Sequence, residues 1–226
     1  SASLVGSEMC IRDRCEDVAL VSCPVVLIDR LTQCGWCDAV GFDNYLGGRL
    51  AAQYLLEGGH TRIGIVTGDI AESSAAERRR GFVDAIEQSG KHFDSSLCVE
   101  GDYRFDSGYR AANQIIDGGA TAVFCCNDVM ALGFRQRMAE RGLRVTEDMQ
   151  VIGYDNILKR FGLGWRMTTV EQSVTDLAAA CWGMLRKRID VAVRAKSGTE
   201  SGDARPWLSD PQVEVLTPKL VQAACA

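Results

Sequence analysis

The chain alternates between two kinds of segment, and this alternation constrains its fold more than any other feature. Short apolar runs such as RIGIVTGD (62–69) and MQVIGYDN (149–156) separate longer segments with helical periodicity. One of these, residues 42–59, begins with Asp43 or Asn44 as a helix cap and ends in two glycines. Apolar strands that alternate with helices predict parallel sheets covered by helices on both faces. The sequence therefore predicts an α/β fold.

Net charge and hydropathy argue against two classes of partner. The 226 residues carry a net charge of −5 with scattered basic residues, so we expect no direct electrostatic binding of nucleic acid. The one dense basic cluster, residues 186–188, is interpreted as a solvated helix face. No apolar run reaches the roughly 18 residues that a membrane span requires, so no membrane partner is expected.

The sequence also lacks the usual catalytic motifs. Phosphate-binding loops, zinc-protease motifs and nucleophile elbows are all missing. The histidines, His60 and His92, lie away from the ends of the predicted strands. We therefore expect no enzymatic activity, no catalytic residue, no metal site and no cofactor.

The cysteines point to a reducing compartment. The chain has ten, and Cys125 and Cys126 fall inside an apolar run where a free thiol behaves as a small hydrophobic group. The motif CGWC (34–37) does not fit a redox pair, because the next predicted helix begins only near Asp43. We interpret the CGWC thiols as incidental surface cysteines and expect a cytoplasmic protein.

Polar side chains follow several of the predicted strands. In open parallel sheets, ligands bind beyond the carboxyl ends of the strands. Helix capping remains an equal alternative for Asp69 and Asp128, but it explains Asp29 and Asp155 poorly because no helix follows either residue directly. A cleft with carboxylates, an amide and an arginine suits a neutral polyhydroxyl ligand whose apolar face packs on an aromatic ring.

Six motifs in order resemble the effector-binding domain of the LacI/GalR family of transcription repressors over roughly residues 23–221. They are PVVLIDR (24–30), the segment 42–69, ERRRGFVDAI, TAVFCCNDVMALGF, RGLRVTEDMQVIGYDN and MTTVEQS. The resemblance implies two Rossmann-like parallel-sheet subdomains of the type I periplasmic binding protein fold, with a sugar or nucleobase-like effector in the cleft between them. The ligand-binding residues that it implies are Asp29, Arg78, Tyr103, Asn127, Asp155 and Gln172.

The same resemblance implies a homodimer that binds operator DNA only through an N-terminal helix-turn-helix. Neither that segment nor the first two βα units of the family precedes PVVLIDR here, so we expect an incomplete N-terminal subdomain. Residues 4–14, LVGSEMCIRDR, resemble the translation of a transposase-type sequencing-library adapter. One further departure is Thr146, which stands where the family has a proline.

These observations predict five segments. They are a non-native segment (1–14), a remnant of the N-terminal subdomain (15–42), the C-terminal subdomain (43–172), a crossover helix and loop (173–211), and a final strand and tail (212–226). The function predicted first is ligand sensing and dimerisation in a LacI/GalR-type regulator. The alternative is the periplasmic sugar-binding protein of an ABC transporter, and the upstream coding sequence would distinguish the two.

Overall fold

The computed structural model describes residues 23–29, 31, 37–157, 167–196 and 209–223. The segment 1–14 and Cys34 of the CGWC motif lie outside these residues. The strands are β1 (Val26–Ile28), β2 (Asp38–Phe42), β3 (Ile63–Thr67), β4 (Cys98–Glu100), β5 (Ala122–Cys125), β6 (Gln150–Asp155), β7 (Thr169–Glu171), β8 (Val213–Leu216) and β9 (Lys219–Val221). The helices are α1 (Asn44–Glu57), α2 (Ser73–Gln88), α3 (Phe105–Asp117), α4 (Asp128–Glu140) and α5 (Val174–Lys196), with a 3-10 turn at Ser95–Leu97.

The chain divides into two compact units, one of residues 1–42 with 173–216 and one of residues 43–172 with 217–226. The first contains a sheet of order β1-β2-β8, and the second a sheet of order β4-β3-β5-β6-β7-β9. Every strand pair is parallel except β7 with β9. The prediction of an α/β fold with parallel sheets is confirmed.

The second unit holds the main hydrophobic core. Strands β3 and β5 are buried along their whole length, as their largely apolar sequences predict. The Phe82 ring of α2 packs on Phe124 of β5 at a centroid distance of 5.3 Å, and Phe124 packs on Tyr154 of β6 at 6.1 Å. Asp43 caps α1 by accepting a hydrogen bond from the Leu46 amide at 2.8 Å, as predicted.

Glycines allow the helices of this unit to pack closely in pairs. A Cβ atom on Gly48 of α1 would collide with the backbone carbonyl of Arg78 in α2, and one on Gly81 of α2 would collide with the carbonyl of Tyr45 in α1. Gly108 and Gly133 play the same part where α3 meets α4. Arg78 therefore lies at a point where two helix backbones touch, which ties its position to the packing of α1 on α2.

The first unit contains a strand that the sequence did not reveal. Residues DAVGF form β2, which is buried and lies between β1 and β8. Asp38 at its start accepts two hydrogen bonds from Arg188 of α5, at 2.8 Å from Nε and 2.6 Å from Nη2. The side chains of Asp38 and Arg188 are 4% and 14% exposed, so the interpretation of residues 186–188 as a solvated face is wrong for Arg188. Cys37 is likewise buried rather than on the surface.

The carboxyl-terminal segment differs from the single final strand expected at 212–226. It forms two strands in different sheets, with β8 paired to β2 and β9 paired to β7. Several large apolar side chains of the first unit are exposed, among them Trp182 and Val193 of α5 and Val215 of β8. None of the helices in the described residues is long and apolar enough to cross a membrane.

Candidate ligand-binding site

The candidate site lies at the carboxyl edge of the larger sheet. Parallel strands present their carboxyl ends at the same edge, so the residues that follow β3, β5 and β6 converge there. Arg78 of α2 lies close to these residues, and its backbone is held in place by the contact with Gly48 of α1.

Arg78 is a buried cation held by neutral groups. Its Nε donates to the Asn44 carboxamide oxygen at 2.7 Å, and its Nη1 donates to the Cys126 carbonyl at 2.7 Å. The guanidinium also lies over the Tyr154 ring, 3.8 Å from the centroid. No ion pair to Arg78 occurs in the described ranges, and the N–H groups on Nη2 donate to no acceptor there.

The electrostatics of the edge keep this arginine charged. Burial of the guanidinium favours the neutral form, but nearby Tyr154 and Asp155 outweigh it, so the pKa of Arg78 is raised. A buried charge is costly unless it is well hydrogen-bonded. The free Nη2 edge is therefore a place where a ligand oxygen would gain a charge-assisted hydrogen bond.

A polar cluster surrounds Asn44 in the first turn of α1. Besides Arg78, its carboxamide oxygen accepts from Gln172 Nε2 at 3.3 Å and from the Tyr154 hydroxyl at 3.4 Å. Gln172 Nε2 also donates to the Tyr154 hydroxyl at 3.4 Å. A Cβ on Gly47 would collide with that hydroxyl, so the glycine makes room for the cluster. Gln172, a predicted ligand residue, is thus connected to Arg78 through Asn44.

Tyr103 is held in a left-handed backbone conformation, with φ at 63°. Its ring covers Gly68, where any Cβ would collide with it, and its carbonyl accepts a hydrogen bond from Asn127 Nδ2 at 2.9 Å. Burial raises the pKa of Tyr103 to about 12 against the opposing charge of Arg78. The hydroxyl is buried without a well-formed hydrogen bond, although Ser74 lies close enough to favour its ionised form.

Asn127, which was predicted to contact the ligand, makes hydrogen bonds within the protein. Its Oδ1 accepts from the Met130 amide at 2.8 Å and so caps α4, while its Nδ2 fixes Tyr103. Asp128 is not the cap of α4. Its carboxylate instead accepts hydrogen bonds from the Thr169 hydroxyl at 2.7 Å and from the Ile157 amide at 2.8 Å.

Capping does not describe Asp69 either. Its Oδ1 accepts from the Ala71 amide at 2.9 Å in a local turn before α2 begins. The residue before α2 is Glu72, whose side chain makes no capping hydrogen bond.

Backbone strain marks the end of β6. Asp155 and Asn156 both have positive φ angles, 94° and 54°. Non-glycine residues in this region cost of order 1–3 kcal/mol each and tend to cluster at functional sites. Asn156 donates to Glu171 of β7 at 2.8 Å, which helps to hold this conformation.

The structure brings together Arg78, Tyr103, Asn127, Asp155 and Gln172 at one edge of the second unit. Asp29, the remaining predicted residue, belongs to the first unit. There it ends β1 with φ at 59°, and its amide donates to the Val40 carbonyl at 2.8 Å.

Sequence reasoning missed two members of the cluster. Asn44 was considered as a helix cap, and Tyr154 resembles a core residue because it lies in an apolar strand and is fully buried. The signal that could have found Asn44 is its position beside Asp43, since one of two adjacent capping residues is free for another role. No cluster of three or more metal-ligating side chains occurs in the part of the chain that the structure describes.

Two mainly parallel sheets covered by helices, with polar groups at the carboxyl edge of the larger one, are typical of the periplasmic-binding-protein class. Residues 52–204 match the family of periplasmic binding protein-like domains. The chain belongs to that family and, within it, to the LacI/GalR-type effector-binding domains.

Relatives of known type support this assignment. The HTH-type transcriptional repressor PurR of Pasteurella multocida is 38% identical over 171 residues, which is 75% of this chain and 51% of that protein. A LacI family transcriptional regulator from Enterococcus faecium, solved with bound ribose, superposes with a TM-score of 0.76 at 26% identity over 88% of this chain and 69% of that one. The transcriptional regulator CelR, in complex with cellobiose, gives a TM-score of 0.73 at 26% identity over 96% and 70%.

The chain spans about half the length of the curated relatives that it matches. These relatives are named transcriptional repressors, and the alternative of a transporter's sugar-binding protein is not favoured.

Proposed function

We propose that this chain is the ligand-sensing part of a LacI/GalR-type transcription regulator and that it binds a small neutral effector at the edge around Arg78. The proposal rests on the buried guanidinium of Arg78, which contacts the neutral groups of Asn44, Cys126 and Tyr154 and whose Nη2 edge donates to no described residue. The relatives solved with ribose and with cellobiose support an effector of this kind.

The chemistry of the edge favours a polyhydroxyl compound. Arg78 brings N–H donors, the negatively charged Asp155 lies close enough to raise the pKa of that arginine, and the half-buried Tyr103 ring is an aromatic group of the kind on which sugars pack. Asp155 and Glu72 add negative charge near Arg78 and Tyr103, which disfavours an anionic ligand. Asn127 contributes to the site by fixing Tyr103. One of its two Nδ2 hydrogens is used by neither of these hydrogen bonds and is available to a ligand.

The wider role follows from the relatives and stays part of this proposal. The full-length protein would act in the cytoplasm as a homodimer and would bind operator DNA through a helix-turn-helix segment. The effector would bind one conformational state better than another and so shift the population of the DNA-binding state. This mechanism requires differential binding and no catalysis.

A thermal-shift screen of the chain tests the proposal. The panel is D-ribose, cellobiose, adenine, guanine and ribose 5-phosphate, with glycerol as the non-specific control. A concentration-dependent rise in melting temperature with a neutral sugar supports the proposal. A rise with ribose 5-phosphate alone would overturn the neutral class, a rise with a nucleobase alone would overturn the polyhydroxyl class, and no rise with any compound would overturn both.

A further inference from the structure

Asn44 occupies a special position in the site because one atom serves three donors. Its carboxamide oxygen accepts from Arg78 Nε at 2.7 Å, Gln172 Nε2 at 3.3 Å and the Tyr154 hydroxyl at 3.4 Å. A carbonyl oxygen has two lone pairs, so three donors compete for it. The short bond from the charged guanidinium is the strong one, and the two longer bonds are weak.

The short bond fixes how the arginine faces the site. A guanidinium is planar, so anchoring Nε on Asn44 and Nη1 on the Cys126 carbonyl determines where Nη2 points. The Tyr154 ring below the plane removes the remaining freedom to rotate. Asn44 and Arg78 are 8% and 5% exposed, so water does not replace the Asn44 oxygen easily.

The same oxygen also connects the arginine to two places where the chain passes between its units. Asn44 is the second residue of the second unit after Phe42, and Gln172 is the last residue before Ser173. A ligand that draws the guanidinium or the Gln172 amide toward itself must redistribute the bonds at Asn44. Both of these chain segments are then affected together.

We infer that Asn44 is a positioning residue for ligand recognition by Arg78, and that its carboxamide oxygen joins Arg78 to the chain at both Phe42–Asp43 and Gln172–Ser173. This inference rests on the proposed role of Arg78 in ligand binding. Asn44 need not touch the ligand.

The test uses nuclear magnetic resonance of the ¹⁵N-labelled full chain. The Arg78 Nε–H signal is assigned by its loss in Arg78→Lys, and its hydrogen exchange is compared among variants. We expect exchange about tenfold faster in Asn44→Ala, which loses the acceptor, and near the wild-type rate in Asn44→Asp, which keeps one. The Gln172 side-chain amide signals should shift in Asn44→Ala as well.

The matched control is Asn113→Ala. Asn113 Oδ1 accepts from Arg137 Nε at 2.8 Å, so this variant should speed exchange at Arg137 and leave Arg78 unchanged. Unaltered Arg78 exchange in Asn44→Ala would overturn the positioning role, even if the variant is less stable. An unshifted Gln172 amide would overturn the connection between the two segments.

A binding measurement with D-ribose separates this inference from the proposed function. If ribose binds, Asn44→Ala should weaken it about tenfold and should have no further effect in an Arg78→Ala background, because the two residues act through one group. Additive effects would overturn the inference. If ribose does not bind, the sugar assignment is in doubt while the exchange result still decides the role of Asn44.

Discussion

Replacing Gly48 with alanine should disturb both the stability of the second unit and its candidate site. A Cβ at this position would collide with the Arg78 carbonyl oxygen and come within 2.9 Å of both the Arg78 carbonyl carbon and the Phe82 amide nitrogen. All three are backbone atoms, which do not move aside as a flexible side chain does. Helix α1 must therefore shift away from α2, and Arg78 lies at the point of contact.

Two effects of opposite sign set the magnitude. Alanine is favoured over glycine inside a helix by about 1 kcal/mol. Overpacking of a well-packed contact costs about 1–3 kcal/mol, and a clash with rigid backbone belongs in the upper part of that range. We expect a net loss of about 1–2 kcal/mol in the free energy of unfolding of the second unit.

Urea denaturation followed by circular dichroism measures this loss. The control is Gly183→Ala in α5, where no atom lies within 4 Å of the added Cβ, so helix propensity alone should stabilise by about 1 kcal/mol. Gly133→Ala, at the contact of α3 with α4, should destabilise to a similar extent, because its Cβ would collide with the Phe105 carbonyl. A Gly48→Ala variant as stable as Gly183→Ala would refute the account of the helix contact.

Three further outcomes follow from the buried polar groups. Asp38→Ala removes the carboxylate that faces Arg188, which keeps only the Ser209 and Asp210 carbonyls as acceptors among the described residues. We expect a loss of about 1–3 kcal/mol in the unfolding free energy of the first unit, measured by urea titration. Burial and the positive charge of Lys91 lower the pKa of His60 below its ordinary 6.5. The free energy of unfolding should therefore be highest above pH 6.5 and should fall as the pH drops through the lowered pKa, because the unfolded chain binds the proton more tightly. His60→Gln should flatten this pH dependence in denaturation curves taken at about pH 5–7. Burial raises the pKa of Cys126 to about 12, so iodoacetamide should spare it in the folded chain and modify exposed Cys23, as peptide mass spectrometry would show.

The α/β fold and the strand-end residues could be predicted because both depend on local patterns. Strands β3 and β5 are buried, as their largely apolar sequences predict, and Asp29 and Asp155 lie at the carboxyl ends of β1 and β6 without a helix to cap. Strand β2 was not predicted because its sequence, DAVGF, begins with a carboxylate and contains a glycine, neither of which is typical of a buried strand. Its Asp38 is explained by Arg188, a partner 150 residues away along the chain.

The hydrogen-bonding roles of individual residues at the candidate site were harder to predict than the edge of the sheet at which they lie. Asn127 was expected to contact the ligand, yet both ends of its carboxamide make hydrogen bonds within the protein. Tyr154 lies in a buried strand and carries no sequence signal of a role at this edge, and the signal for Asn44 is only its position beside the capping residue Asp43. Their importance arises from tertiary packing around Arg78, which no local pattern records.

Isothermal titration calorimetry of Arg78→Ala beside Arg79→Ala tests the central claim most directly. Both substitutions remove one positive charge from the same helix, but Arg78 is buried at the site and Arg79 is exposed. With the neutral sugar that stabilises the chain in the thermal screen, Arg79→Ala should bind like the wild type, and Arg78→Ala should lose about tenfold or more in affinity. Equal affinity in the two variants would contradict the account.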